Sequence, residues 1–166
     1  MRIGVLCPYS FDRPGGVQNH VLGLSSWLIG EGHQVGILGP GRPSAGVLAH
    51  HSLDSEVITS AGRAWPIPVN GSVARVNYGP HVARRVVRWL ASGDFDLVHL
   101  QEPIMPTAAQ HALRRAKVPV VATFHATTRA CWRAGSLVRQ GVAGLTDRLD
   151  GSVAVSEAAA RTVQHY

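Results

Sequence analysis

Several kinds of residue are scarce in this sequence, and each scarcity excludes a class of protein. Its two cysteines, Cys7 and Cys131, lack the spacing of a metal site, so neither a disulfide framework nor a zinc domain is expected and a reducing cytoplasm is favoured. No apolar run approaches the roughly 20 residues that cross a bilayer, and no secretory leader precedes the first strand pattern. We therefore expect a soluble protein that is not exported.

Acidic residues are also few: ten Asp and Glu face 16 Lys and Arg, which gives a formal charge of +6. Such a charge favours nucleic acid, an anionic membrane or a phosphorylated substrate as partner. Aromatic residues make up only 6% and do not interleave with the basic ones, so no nucleic-acid partner is expected. The dinucleotide motif G-x-G-x-x-G and the P-loop motif are missing as well, which removes the main support for hydride transfer and P-loop nucleotide hydrolysis.

Short apolar runs alternate with helical patterns along the 166 residues, a length that suits one domain. The clearest helix places Val17, Val21, Leu24 and Leu28 on one face. This rhythm predicts an α/β fold, a doubly wound, Rossmann-like three-layer sandwich with a mostly parallel sheet whose ligands bind at the carboxyl ends of the strands. Residues 40–79 are rich in turn formers and predict only weak strands, at 56–58 and 64–67. The predicted main strands are 3–7, 35–38, 97–100, 118–123 and 152–155, and the later helices are 80–91, 106–117, 131–150 and one from 157, capped by Ser156.

The segment from Pro8 to Gln18 joins the first strand to the first helix and ends in Gly15-Gly16. Two residues without a Cβ let the main chain approach a ligand closely, and the free N–H groups at a helix start favour an anion such as phosphate. The alternative is that the two glycines only form a tight turn.

Two further features suggest binding. His125 directly follows a predicted strand, at the edge where such sheets hold substrates, whereas His99 lies within a strand and is expected to be structural. The helix after Pro80 places His81, Arg84, Arg85 and Arg88 on one arc with no acidic partner at i+3 or i+4. That arc fits an anionic membrane surface, and the alternative is an ordinary solvated face.

In order along the chain, these residues resemble the N-terminal domain of retaining GT-B glycosyltransferases, and among them the phosphatidylinositol mannosyltransferase family. The similar segments span the chain: Met1 to Gly4, Cys7 to Asp12, Pro14 to Gln18, Pro66 to Pro68, Asn70 to Arg75, Gly93 to Asp96, Glu102-Pro103, Ala122 to His125 and Ala154 to Ser156. One departure is Val69, where the family has a tyrosine before the Asn-Gly pair.

The resemblance implies a transfer of mannose from GDP-mannose to phosphatidyl-myo-inositol at the inner face of the plasma membrane, with no further cofactor or metal. Gly15 and Gly16 would lie beside the donor diphosphate, and His125 would be the catalytic contact to donor sugar and phosphate. Residues 1–166 would be the acceptor-side domain, and a second Rossmann-like domain with most donor contacts would be missing. The implied acceptor residues are Tyr9, Gln18, Asn70 and Arg75, and the implied membrane residues are Arg84, Arg85 and Arg88.

Two alternatives stay open at this stage. A non-catalytic module could use the same residues to bind phosphoinositides or anionic lipid. A GT-B enzyme could instead act on another lipid or inositol-phosphate acceptor, because Val69 loses an aromatic and a hydroxyl contact.

Overall fold

The computed structural model describes residues 1–69, 72–125 and 144–163. The elements in chain order are β1 (Arg2–Leu6), α1 (Gly16–Gly30), β2 (Gln34–Gly39), α2 (Ala45–His50), a 3₁₀ turn (Ser55–Val57), β3 (Ile58–Ser60), β4 (Trp65–Val69), β5 (Ser72–Val76), α3 (Pro80–Gly93), β6 (Leu97–Gln101), α4 (Ala108–Leu113), β7 (Val120–Phe124), β8 (Gly151–Ala154) and α5 (Glu157–Val163). Most of the predicted helix 131–150 lies outside the described residues.

Six strands form one parallel sheet in the order β3-β2-β1-β6-β7-β8. The chain builds outward from β1 in one direction and from β6 in the other, so the order reverses between these two central strands. Open parallel sheets bind ligands at the carboxyl ends of the strands beside such a reversal. The predicted doubly wound fold is confirmed, and the switch point lies between β1 and β6.

Alternate side chains of the central strands enter two separate cores. Val5 and Ile37 pack with Val21 of α1 on one face of the sheet, and Leu6 and Leu100 pack with Val86 of α3 on the other. Helices therefore cover both faces, as expected for strands that are apolar throughout. Gly4 is required for this packing, because a Cβ there would lie 2.8 Å from the ring of Trp89.

Residues 40–79 contain more structure than their composition predicts. The weak strand predicted at 64–67 overlaps β4, which pairs antiparallel with β5 in a separate two-stranded sheet. Helix α2 is N-capped by Ser44, whose side chain accepts a hydrogen bond from the Val47 N–H. Helix α4 is shorter than predicted: Thr107 caps its start, and the helix ends at Leu113. The predicted cap of α5 is confirmed: the Ser156 hydroxyl accepts from the Ala159 N–H at 3.2 Å.

Candidate functional site

The loops after β1, β6 and β7 meet at the switch point, and each carries a residue that could contact a ligand. Hydrogen bonds to other segments hold the loop after β1 in place. The Ser10 N–H donates to the Arg75 carbonyl at 2.8 Å, and the Phe11 N–H donates to the Pro40 carbonyl at 2.9 Å. The Asp12 carboxylate accepts from the Ser10 hydroxyl at 2.9 Å and from the Arg42 N–H at 3.1 Å. The main chain of this loop is thus held in place before any ligand arrives.

The start of α1 is open. Gly15 is the N-cap residue and offers no side chain to the first N–H groups of the helix. A Cβ on Gly16 would have no atom within 4 Å, so free space adjoins the positive end of the helix. Uncapped N–H groups facing space are the arrangement in which helix starts receive phosphate.

Gln18 has a structural task in this geometry. Its Nε2 donates to the Ser10 carbonyl at 3.0 Å and to the Arg13 carbonyl at 3.3 Å. Its Oε1 lies so close to Gly15 that a Cβ on that residue would clash with it. Gly15 therefore makes room for the Gln18 amide, which braces the glycine loop from the helix side.

His125 lies at the end of β7 and is bonded to the end of β6. Its Nε2 is 2.7 Å from Gln101 Oε1, and its backbone N–H donates to the Glu102 carboxylate. Burial, and then the neighbouring His20, lower the pKa of His125 from 6.5 to about 4. The imidazole is consequently neutral at pH 7, and its Nδ1 makes no hydrogen bond within the described residues.

His20 connects His125 to the open helix start. The two rings meet edge to face, with their centroids 5.0 Å apart. Gly16 and His20 are four residues apart, so they lie on the same face of α1, one turn from each other. His125 therefore lies beside the face of α1 whose first turn is uncapped, and one ligand could contact both.

Tyr9 and Glu102 line the same edge. The Tyr9 hydroxyl is 3.8 Å from the Met105 sulfur, and burial, followed by the charges of Glu102 and Cys7, raises the pKa of Tyr9 to about 12. Glu102 is 3% exposed and has a φ of 49°, a conformation that residues other than glycine rarely adopt. The phenol of Tyr9 therefore stays protonated at neutral pH and can donate a hydrogen bond at this edge.

The other sequence-predicted site residues are spread over two neighbouring elements. Arg75 is exposed on β5, where its backbone carbonyl anchors the loop after β1. Asn70 lies outside the described residues. Arg84, Arg85 and Arg88 are exposed on α3, and Arg85 Nη1 donates to the Ser60 carbonyl at 3.3 Å. The structure thus gathers Tyr9, Gly15, Gly16, Gln18 and His125 around the switch point and sets the three arginines on a separate helix.

Sequence reasoning did not identify His20 or Gln101 as site residues. The signal for His20 was its spacing of four residues from Gly16 on an amphipathic helix, and the signal for Gln101 was a polar residue ending an apolar strand. His99, expected to be structural, bonds Thr123 Oγ1 through Nε2 at 2.7 Å. In the described part of the chain, no three His, Cys, Asp or Glu side chains form a group that could hold a metal ion. No described helix combines the length and apolar character needed to cross a membrane.

The fold and the edge just described define a Rossmann-like protein with an uncapped helix start at its switch point. The chain belongs to glycosyltransferase family 4, whose family model matches residues 14–166. It is 48% identical over 166 residues to the phosphatidyl-myo-inositol mannosyltransferase of Propionibacterium freudenreichii, covering all of this chain and 43% of that protein. It is also 48% identical over 162 residues to the phosphatidyl-myo-inositol mannosyltransferase of Mycobacterium leprae, covering 97% of this chain and 41% of that one.

The chain therefore spans about two fifths of the length of the curated relatives it matches. Among solved structures it resembles a protein from Listeria monocytogenes assigned as a UDP-N-acetylglucosamine 2-epimerase, with a TM-score of 0.59 at 9% identity. That match covers 98% of this chain and 41% of the other and shows similarity of fold alone.

Proposed function

We propose that this chain is the acceptor-side domain of a retaining mannosyltransferase that moves mannose from GDP-mannose to phosphatidyl-myo-inositol. The observation that carries the proposal is the position of His125 beside the uncapped start of α1, linked through His20. The two relatives named as phosphatidyl-myo-inositol mannosyltransferases support the substrate pair. Tyr9, Gln18, Asn70 and Arg75 would hold the acceptor head group.

At this edge the protein would stabilise the charge of the leaving diphosphate and position the transferring sugar. When the bond between mannose and GDP breaks, negative charge develops on the leaving diphosphate, and N–H groups already aimed at that point stabilise it without having to reorganise. Gly16, beside which there is free space, would let the diphosphate reach the helix start closely, whereas the Gln18 amide fills the space beside Gly15. The neutral imidazole of His125, fixed by Gln101 and Glu102, would contact the sugar and its phosphate.

A second Rossmann-like domain would complete the cleft and carry most of the guanosine contacts. The chain's coverage of about two fifths of its relatives' length supports this division. We expect the 166-residue chain to fold, because its sheet is covered on both faces, but to bind GDP-mannose weakly and to transfer no mannose alone.

The test adds a second domain to the chain. The chain is fused to the remaining C-terminal portion of the Propionibacterium freudenreichii relative, and radioactive mannose transfer from GDP-mannose to phosphatidylinositol is measured. We expect transfer by the fusion and none by the chain alone. Micromolar GDP-mannose binding or turnover by the chain alone would contradict this division, and transfer to another lipid only would identify a different acceptor. Stable lipid binding without transfer by a folded fusion would favour the non-catalytic module.

His125→Ala in the fusion should lower kcat about a hundredfold, because it removes the Nδ1 atom that would accept a hydrogen bond from the transferring mannose, and a misplacement of about 1 Å at the reacting centre costs about that factor. His50→Ala, which removes an exposed histidine from α2, is the matched control and should leave kcat unchanged. Circular dichroism and urea unfolding verify that both variants fold. An ordinary kcat in folded His125→Ala would show that the imidazole has only a structural role.

A further inference from the structure

Two side-chain hydrogen bonds join β6 to β7 near the carboxyl ends of both strands. His99 Nε2 bonds Thr123 Oγ1, and Gln101 Oε1 bonds His125 Nε2, both at 2.7 Å. In each pair the β7 residue lies two positions beyond the in-register neighbour, which for Gln101 is Thr123. His99 and Gln101 share one face of β6, because side chains alternate along a strand. The second of these two bonds is the one that holds the ring of His125.

Gln101 is an unfavourable residue for packing at this position. It is fully buried, and its Nε2 has no hydrogen-bond partner among the described residues. A buried amide with an unpaired N–H group costs stability, and an apolar side chain of similar volume, such as methionine, would avoid that cost. The amide therefore indicates a role towards His125 rather than a role in the core.

The next residue fixes the main chain of His125. The Glu102 carboxylate accepts from the His125 backbone N–H, and the Glu102 N–H donates to the Thr123 carbonyl at 3.0 Å. Adjacent side chains of a regular strand point to opposite faces, but Glu102 has a φ of 49°, which ends the strand geometry after Gln101. Gln101 and Glu102 therefore both reach His125, one at its ring and the other at its main chain.

The bond to Gln101 decides which nitrogen of the His125 ring carries the proton. An amide oxygen only accepts hydrogen bonds, so the Nε2 beside it must be protonated. Burial, and then the neighbouring His20, lower the pKa of His125 to about 4, so at pH 7 the ring is neutral and carries a single proton. Nδ1 is then unprotonated, so it can accept a hydrogen bond from a hydroxyl group but cannot donate one to a phosphate oxygen.

We propose that Gln101 is a positioning residue for mannose transfer, which holds the His125 proton on Nε2 so that Nδ1 accepts a hydrogen bond from a hydroxyl group of the transferred sugar. The position of the proton follows from Gln101 and His125 alone, whereas its role in transfer rests on the proposed function. The phosphate groups of the donor would bond the N–H groups at the start of α1 instead of Nδ1. Gln101 is buried, so it acts through the ring and not on the substrate.

The tautomer is measured by NMR on the 166-residue chain with nitrogen-15-labelled histidine and no substrate. Long-range proton–nitrogen spectra distinguish protonated from unprotonated ring nitrogens, and the signals that His125→Ala removes belong to His125. We expect the Nε2–H tautomer at pH 7. Gln101→Met removes the acceptor at similar volume and should populate both tautomers. A Nδ1–H tautomer or a charged ring in the wild type would overturn the proposal, and so would an unchanged tautomer in folded Gln101→Met.

Gln101→Glu gives a second readout, because it places a carboxylate against Nε2. An opposite charge in contact favours the charged ring, so the pKa of His125 should rise by about one unit or more. Below that raised pKa both ring nitrogens carry protons, and Nδ1 no longer accepts. In the fusion, the acid loss of kcat should therefore have its midpoint about one pH unit or more above that of the wild type. Gln34→Glu makes the same charge change at the exposed start of β2 and should follow the wild type.

Gln101→Met in the fusion should lower kcat about tenfold and leave KM for GDP-mannose within about twofold, because the ring positions the reacting sugar while the diphosphate and guanosine contacts do not depend on it. Circular dichroism and urea unfolding verify that the variants fold. An unchanged kcat in folded Gln101→Met, or a pH profile of Gln101→Glu that coincides with the wild type, would overturn the positioning role. A fusion that transfers no mannose would instead refute the proposed function, and the tautomer and pKa of His125 in the chain would still decide whether Gln101 sets the ring.

Discussion

Mild acid should destabilise the folded chain through His99. This residue lies on β6, is only partly exposed, and bonds Thr123 of the neighbouring strand through Nε2. Burial, and then the charges that His20 and His125 acquire, lower the pKa of His99 from 6.5 to about 4. The unfolded chain has none of these constraints, so there the imidazole titrates near its ordinary value.

The sign follows from which state binds the proton. Well above pH 6.5 neither state protonates His99, and its full contribution to stability is present. As the pH falls from 6.5 towards 4, His99 binds a proton in the unfolded chain but not in the folded chain, so the free energy of unfolding decreases. At about 1.4 kcal/mol for each pKa unit, the loss reaches at most about 3 kcal/mol near pH 4. His125 has its pKa lowered in the same direction, but it is more exposed, so solvent screening reduces its contribution.

Urea unfolding followed by circular dichroism at a series of pH values between 7.5 and 4 measures this loss. Because carboxylates add their own acid dependence, the decisive quantity is the difference between the wild type and His99→Gln, which keeps a polar partner for Thr123 but cannot titrate. We expect the variant to lose less stability than the wild type over this range, by up to about 3 kcal/mol. His50→Gln, at an exposed position, should follow the wild type. Parallel profiles for wild type and His99→Gln would refute the reasoning.

Three further substitutions test other parts of the structure. Gly16→Ala should leave stability unchanged or raise it by up to about 1 kcal/mol, because no atom lies within 4 Å of the new Cβ. The same substitution should weaken GDP-mannose binding to the fusion. Calorimetry that finds unchanged affinity would contradict an anion at this helix start. Gly41→Ala should lower the free energy of unfolding by about 1–2 kcal/mol, since Gly41 has a φ of 67° and the new Cβ would clash with the Asp12 carboxylate. An unchanged urea midpoint would show that the turn adapts. Replacing Arg84, Arg85 and Arg88 together by Ser should reduce co-sedimentation with phosphatidylinositol-containing vesicles at least tenfold at low salt and less at high salt, and equal sedimentation would mean that the helix face is only solvated.

The sequence predicted the central sheet because its signal there is local. Each inner strand is a short run of Val, Ile or Leu between turn residues, and the structure places them within about two residues of the prediction. The hairpin of β4 and β5 was harder to find, because Pro66 and Pro68 argue against a strand in a large sheet. They are tolerated here because β4 pairs with β5 alone in a two-stranded sheet.

The site was predictable only in part, for a similar reason. His125 could be found because it directly follows a strand, and Gly15 and Gly16 could be found because they end the loop between the first strand and the first helix. The contact of His20 with His125 and that of His99 with Thr123 depend on how α1 packs and on the register between β6 and β7. Such pairings between distant segments carry no local pattern, so composition and periodicity could not indicate them.

Two kinds of unfavourable feature occur in the described chain, and both occur together at the switch point. Ser52 and Asp94, like Glu102, have positive φ without being glycine, but they are exposed, whereas Glu102 is buried at the switch point. Four side-chain atoms are buried without hydrogen-bond partners among the described residues, and one of them, Gln101 Nε2, lies at the switch point; the others are Ser25 Oγ, Asn77 Oδ1 and His111 Nε2. Each such feature costs stability unless a ligand compensates for it. At the switch point the two features fall on adjacent residues, Gln101 and Glu102, which both bond His125, and this coincidence supports a ligand at that point.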